Sequence, residues 1–153
     1  MPRITVAPDD PASADSRRLI GELDSYLNSM YPPDRNYLLS VEALKQTDVT
    51  FVTARYDDRV VGCGAFVNRQ NEYAEIKRMF VLPDYRRRKI GRKILEELER
   101  RIVVSGLRVV RLETGVSQPE ALRLYARAGY RRRGVFGEYA DDPISVFMEK
   151  NLT

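Results

Sequence analysis

Leu19, Ile20, Leu23, Tyr26, Leu27 and Met30 fall three or four residues apart, the repeat that places side chains on one face of a helix. The Pro/Ser/Asp-rich stretch from Pro8 to Ser16 reads as the loop before that helix, with Ser13, Asp15 or Ser16 as its N-cap; Pro32-Pro33 stops it. Ser40 to Lys45 predicts a second, short helix. The rhythm then changes. Val49 to Tyr56 is β-branched and aromatic, Asp57-Asp58 turns the chain, and Val60 to Val67 forms the second arm of a hairpin. A further turn, Asn68 to Glu72, leads into a strand from Tyr73 to Val81, which Pro83-Asp84 ends. Ile90, Ile94, Leu95, Leu98 and Ile102 mark an amphipathic helix closing near Ser105-Gly106. Val109 to Glu113 reads as a strand. Pro119 then opens a helix carrying Leu122, Leu124, Tyr125 and Ala128, stopped by Gly129, and Ile144 to Met148 is a late strand. The predicted order is β-α-α-β-β-β-α-β-α-β-β. Hairpins make the middle antiparallel, whereas the strand–helix–strand unit around residues 73–114 needs a parallel crossover, right-handed by the general rule. The expected fold class is mixed α/β: a central, largely antiparallel sheet with helices on both faces.

Composition narrows the chemistry. A chain of 153 residues without repeats or a long linker predicts one domain, 1–153, large enough to bury a full core. The single cysteine, Cys63, forbids an intrachain disulfide framework. There is no histidine, which excludes Ser-His-Asp and Cys-His nucleophile pairs, imidazole acid–base catalysis and His-ligated zinc; one thiol leaves no Cys-rich metal site either. Proton chemistry falls to carboxylates, tyrosines, lysines or water. No apolar run approaches the roughly 20 residues of a bilayer helix, and Met1 to Asp10 lacks the order of a signal peptide, so a soluble, cytoplasmic protein without a membrane partner is expected. The net charge of +4 favours an anionic partner without naming one.

The most informative segment runs from Val81 to Lys93. A strand ends and a helix begins there, with Arg86, Arg87, Arg88, Lys89, Arg92 and Lys93 crowded into the approach and first turn. A helix N-terminus carries about half a positive charge and unpaired N–H groups, so cations at that end are unfavourable unless an anion binds. A di- or polyphosphate on the loop amides accounts for them; from charge alone, a solvated basic loop does so equally well. The mononucleotide loop Gly-x-x-x-x-Gly-Lys-Ser/Thr and the dinucleotide fingerprint Gly-x-Gly-x-x-Gly are both absent. The pattern present is Arg86-x-x-Lys89-x-Gly91, after a strand ending Met79-Phe80-Val81-Leu82-Pro83.

This segment resembles motif A of the GNAT superfamily of N-acetyltransferases, Gln/Arg-x-x-Gly-x-Gly/Ala, and Ala74-Glu75-Ile76 precedes it at the spacing seen in the histone-acetylating branch. Gln118-Pro119-Glu120-Ala121-Leu122-Arg123-Leu124-Tyr125-Ala126-Arg127-Ala128-Gly129-Tyr130 is similar to a second family block, Asn-x-x-Ala-x-x-Leu-Tyr-x-x-x-Gly-Phe. The resemblance covers nearly the whole chain. It implies acetyl-CoA as co-substrate, without a metal, and transfer of its acetyl group to a primary amine on a small molecule or peptide by direct attack in a ternary complex. Diphosphate binding then falls on the loop amides of Arg86, Arg87, Arg88, Lys89, Ile90 and Gly91 with Arg92 beside them, and pantetheine pairing on Met79, Phe80 and Val81. The Met79 N–H would polarise the thioester carbonyl. Gln118 stands for the family Asn, one methylene longer. Lys89 and Arg87 stand where glycine is usual, and lysine there suggests an ordinary helical φ.

Tyr125 matches the tyrosine that in many members protonates the leaving thiolate and also lies against the co-substrate; a phenol holds its proton at pH 7. A buried core aromatic is the plainer reading. Glu75 aligns with the strand glutamate that serves as general base in one branch, and Glu113 is the second candidate; an ion pair of Glu75 with Lys77 on the same face is the alternative. Cys63 in Val61-Gly62-Cys63-Gly64 fits a small strand site better than a covalent acetyl-cysteine role. The acceptor walls, by analogy, would draw on Tyr26, Tyr31, Tyr37, Phe136 and Tyr139, with Asp141 and Asp142 able to attract a cation; plain core aromatics and a solvated turn are the competing explanations. Two other classes stay open. One is a non-catalytic CoA sensor. The other is a nucleic-acid module tracking phosphates with Arg86 to Lys93 and Arg131-Arg132-Arg133, which the acidic Glu96, Glu97 and Glu99 and the lack of an aromatic–basic pattern disfavour. A homodimer paired through Ile144 to Met148 is a fold-level expectation.

Overall fold

The computed structural model describes residues 2–32 and 38–153. Its elements are β1 (Ile4–Pro8), α1 (Ala14–Asn28), α2 (Val41–Leu44), β2 (Val49–Tyr56), β3 (Arg59–Arg69), β4 (Tyr73–Val81), a 3-10 turn (Pro83–Tyr85), α3 (Ile90–Val104), β5 (Val109–Gly115), α4 (Pro119–Arg127), β6 (Arg131–Arg133) and β7 (Ser145–Asn151). The predicted order of elements is the observed one. Tyr37 and Pro33, assigned from sequence to the acceptor wall and the helix stop, lie outside the described residues.

Local chemistry sets the helix starts. Among the three candidate caps of α1, Ser13 serves, its Oγ accepting from the Ser16 amide at 3.2 Å, and Ser40 does the same for α2 from Ala43 at 3.1 Å. Leu19, Ile20 and Leu23 bury one side of α1. Ile90, Ile94, Leu95, Leu98 and Ile102 bury one side of α3, each at most 1% exposed.

The strands form one seven-stranded sheet in the order β1-β2-β3-β4-β5-β7-β6. Every pairing is antiparallel except β4 with β5, the parallel join that the intervening α3 makes possible. α3 packs across β1 to β4 and α1 against β3 and β4. The seat of α3 requires glycine in β3. A Cβ at Gly64 would lie 2.8 Å from Ile94 Cγ2 and 2.7 Å from Met79 Sδ, so any larger residue would push helix and sheet apart.

One expectation fails here. The late strand, β7, is not an edge: β5 pairs along one side of it and β6 along the other at residues 147–149, leaving β1 and β6 outermost. A dimer formed by pairing through Ile144 to Met148 would have to displace β6 at residues 147 and 148. β6 is three arginines with no apolar alternation, and it is a strand because β7 supplies its hydrogen-bond partners.

β4 carries a bulge that matters for the site. Its register against β3 passes from Ala65↔Lys77 to Cys63↔Phe80, so Arg78 and Met79 together face Gly64. Arg78 adopts φ 60°. Its side chain is held from below: Nε and Nη2 donate to the Leu39 carbonyl at 2.9 and 2.7 Å, and Nη1 donates to Asp24 Oδ1. One buried guanidinium thus ties the bulge to α1 and to the segment ahead of α2.

Candidate active site

β4 and β5 pair only at Ala74↔Val110, Glu75↔Arg111 and Ile76↔Leu112. Past these residues the strands diverge, and among the described residues β5 gives no ladder partner to Arg78–Val81. A cavity of about 1130 Å³ occupies the divergence. Lys77 to Val81 line one wall and Glu113, Thr114 and Gly115 the other; α1 contributes Leu23, Tyr26 and Leu27, the turn after it Tyr31, while residues 85–92 and α4 close the opposite end. An unpaired strand edge offers backbone N–H and C=O groups to an extended ligand, as an added strand would.

The loop overturns one expectation. Lys89 is not helical. It caps α3 with φ 63°, and Arg87 has φ 65°. Both keep the left-handed conformation natural to glycine, at about 1–2 kcal/mol each. No side chain caps α3 and its first turn has no acid, so its amides are left for a ligand. Arg87, Lys89, Ile90, Gly91 and Arg92 line the cavity. Arg86 does so while tied down: its Nε donates to the Val81 carbonyl at 3.1 Å, and its Nη1 lies 3.6 Å from Glu120. Arg88 points elsewhere, onto Tyr56 and Tyr85. Arg123 and Arg127 of α4 also line the cavity, and the sequence reading did not single them out. Their one-turn spacing on a helix that begins in the second motif was the available signal.

At the far end, Gln118 serves its own turn. Its Oε1 accepts from the Gly115 amide at 3.1 Å and faces the Tyr31 hydroxyl at 3.4 Å, while that hydroxyl accepts from the Ser117 amide at 3.3 Å. Gly115 is required: an added Cβ would sit 1.6 Å from the Tyr31 oxygen. Tyr31 therefore plugs the end of β5 and fixes where Glu113 and Thr114 face the cavity.

The two candidate bases have different surroundings. Glu75 is 2% exposed and fully engaged. Arg69 Nε donates to its Oε1 at 2.9 Å, Tyr139 donates to Oε2, and Lys77 Nζ lies 3.8 Å from Oε2 while donating to Tyr139 Oη at 2.7 Å. Glu75 is not among the residues lining the cavity. Glu113 is. Its Oε2 accepts from Ser145 Oγ at 2.8 Å. Burial pushes its carboxyl above the usual range, against the lowering effects of Ser145 and Lys77 and with Glu75 and Asp142 adding to the rise. Lys77, between the two glutamates, is lowered by burial.

Tyr125 lines the same cavity, its ring buried and tilted against Tyr130 at 5.8 Å. Burial, and then the Glu113 charge, raise its pKa, so the phenol keeps its proton. Its hydroxyl makes no hydrogen bond among the described residues. Of the aromatic acceptor candidates, Tyr26 and Tyr31 line the cavity, whereas Phe136 packs edge-on against Tyr73 and Phe147, and Tyr139 buttresses Glu75. Asp142 acts through the field on Glu113, and Asp141 is exposed. Cys63 is fully buried, its Sγ donating to the Arg78 carbonyl at 3.3 Å and its thiol pushed up to about 12. That is the inert strand site expected of it. Among the described residues no group of three or more acidic or thiol side chains could hold a metal, and no helix is long and apolar enough to cross a membrane.

A mixed sheet split beside an uncapped, basic helix start is the acyl-CoA N-acyltransferase fold. The chain belongs to the acetyltransferase (GNAT) family, whose model matches residues 17–130. It is 44% identical over 153 residues to a protein of Azospirillum brasilense named IAA acetyltransferase, covering 99% of this chain and 100% of the other. A crystal structure described as an acyl-CoA N-acyltransferase from Klebsiella pneumoniae superposes with a TM-score of 0.84 at 33% identity, covering 98% of each chain. An N-acetyltransferase of Thermoplasma acidophilum crystallised with coenzyme A shares the fold at 20% identity, with a TM-score of 0.75 over 97% of this chain and 99% of that one. The protein is an acetyl-CoA-dependent N-acetyltransferase.

Proposed function

We propose that the chain acetylates a primary amine carried on an apolar body, by direct attack within a ternary complex. The carrying observation is the split between β4 and β5, which brings the Glu113 carboxyl, the Tyr125 hydroxyl and the free edge at Met79 onto one cavity.

The residues fit an extended anionic co-substrate: an unpartnered strand edge for its arm, and α3 amides with Arg87, Lys89 and Arg92 for its diphosphate. Acetyl-CoA supplies an activated thioester carbonyl. Glu113, ionised, takes a proton from the ammonium form of the acceptor and frees its lone pair. The Met79 N–H stabilises the negative charge that develops on the carbonyl oxygen as the N–C bond forms. Tyr125 donates its hydroxyl proton to the sulfur as the C–S bond breaks. Glu113 passes the first proton to water and takes a second from the nitrogen as the amide forms, the third stays as the amide N–H, and Tyr125 is reprotonated from solvent.

Glu113 is favoured over Glu75 because a base must reach its proton, and Glu75 is closed off by Arg69, Lys77 and Tyr139. Leu23, Tyr26 and Leu27 provide the apolar wall for the acceptor body. Thiol release from acetyl-CoA, followed across aliphatic amines, aromatic amines, amino acids and peptides, tests the reading. IAA joins the panel because the Azospirillum relative is named for it. Turnover is expected with an amine of apolar body, rising through an acidic limb set by Glu113. Tight CoA binding with no turnover on any amine would make the chain a sensor instead.

A further inference from the structure

The co-substrate loop carries side chains where its backbone calls for glycine. Arg87 and Lys89 sit at φ 65° and 63°, a region where the Cβ crowds the backbone and where a non-glycine residue stays only if its surroundings hold it. No side-chain cap from α3 does so. The residue between them does something else. Arg88 turns away from the cavity, its guanidinium 5.2 Å from the centre of the Tyr56 ring and 5.9 Å from that of Tyr85, and its Nη1 donates to Tyr56 Oη at 3.3 Å. The two rings lie 5.3 Å apart, tilted by 60°, and Arg59 lies 5.7 Å from the centre of Tyr85. Tyr56 ends β2 and Tyr85 ends the 3-10 turn, so the stack joins the β2–β3 hairpin to the loop.

We propose that Arg88 is a positioning residue: its stack on Tyr56 and Tyr85 holds Arg87 and Lys89 left-handed, and so keeps the loop amides turned toward the diphosphate. A clamp on the outer surface does here what glycine achieves by having no Cβ. The clamp rests on the reading that this loop holds the diphosphate. It separates Arg88 from its neighbours: Arg87 and Lys89 act by charge in the cavity, Arg88 by shape outside it.

Calorimetric titration of the full chain with CoA tests the clamp. Arg88→Ala weakens CoA about five- to tenfold, the range that two exposed cation–π contacts allow. The KM for acetyl-CoA rises with it, while kcat at saturation moves less than about twofold. The decisive comparison repeats Arg88→Ala in a chain already carrying Arg87→Gly and Lys89→Gly. Those glycines lower the starting affinity by removing charge, but they reach positive φ unaided, so the added change costs less than about twofold. An equal loss in both backgrounds, or none in the first, overturns the clamp. So does a loss that vanishes as salt is raised, the mark of a direct charge contact. Lys89→Glu checks the premise separately. If it leaves CoA affinity unaltered in a folded protein, the loop is not the diphosphate site and the clamp falls with that reading; if it weakens CoA, the Arg88 comparison alone decides.

Discussion

The two halves of β4 have opposite fates. Tyr73 to Ile76 lies along β3, its last three residues pair with β5 as well, and its one acid, Glu75, is buried among Arg69, Lys77 and Tyr139. Lys77 to Val81 continues along β3, carries a bulge at Arg78, and faces a cavity. Each half carries one aromatic and one β-branched residue, Tyr73 and Ile76 in the first and Phe80 and Val81 in the second, so strand propensity alone does not separate them. The difference lies in the neighbour. Where β5 follows, polar side chains are consumed in holding the sheet; where it turns away, backbone and side chains remain for a ligand. Glu113 is the first β5 residue past the last paired position, which is why this glutamate, and not Glu75, meets the cavity.

Exchanging the two acids tests that contrast most strongly. Glu113→Gln lowers kcat about 10²-fold or more and removes the acidic limb of the pH–rate curve. Glu75→Gln leaves the limb in place and keeps kcat within a few-fold, but costs about 2 kcal/mol of stability because Arg69 and Lys77 lose a charged partner. The Glu113 change also has a signed effect on stability. Burial raises the folded-state pKa of Glu113 above its unfolded value. The fold therefore favours the protonated form at low pH, and that advantage disappears as pH climbs through the folded value. Gln, neutral throughout, raises Tm at pH 8 and leaves it unchanged at pH 4. A lost limb in Glu75→Gln, with Glu113→Gln normal, would reverse the roles of the two halves.

Tyr125→Phe comes next in size. It removes a hydroxyl that makes no hydrogen bond among the described residues, while the ring keeps its packing on Tyr130. If Tyr125 is the acid proposed above, kcat falls about tenfold with the KM for both substrates within about twofold, because the interaction removed is one made with the leaving sulfur. A larger change in KM than in kcat would make Tyr125 part of the wall rather than an acid.

Much of this was readable from the residues in order. Periodicity located α1, α3, α4 and the strands from Val49 to Val81, because helix faces and turn chemistry are set by near neighbours. The basic loop and the tyrosine block were visible as motifs. What escaped depends on partners far along the chain. Lys89 takes a left-handed φ against its own preference. Arg88 points outward because Tyr56 lies there. β7 is interior because β6, a strand in the predicted order whose three arginines carry no pattern that would name its neighbour, pairs with it. Gly115 answers to a hydroxyl on Tyr31, 84 residues earlier by subtraction of the two positions. No local pattern separates Glu75 from Glu113; the point where β4 and β5 part does so, and that is a property of the sheet.

The smallest effect sharpens the comparison from behind the sheet. Cys63 sits opposite Phe80 in the open half of β4, and its thiol donates to the carbonyl of the bulged Arg78. If the free edge at Met79 depended on that thiol, Cys63→Ala would disturb acetyl-CoA binding. The bulge has a stronger anchor, however, in the bonds from the Arg78 guanidinium to Leu39 and Asp24. A thiol donor is weak beside them. Cys63→Ala should therefore cost about 1 kcal/mol of stability from the lost sulfur packing and leave the KM for acetyl-CoA unchanged. With its thiol pushed up to about 12 and no exposed surface, Cys63 should also resist maleimide at pH 7.5 in the folded protein and react only on unfolding. A raised KM in Cys63→Ala with normal stability would shift the origin of the split from the guanidinium to the sulfur, and the open half of β4 would then be held from β3 rather than from α1.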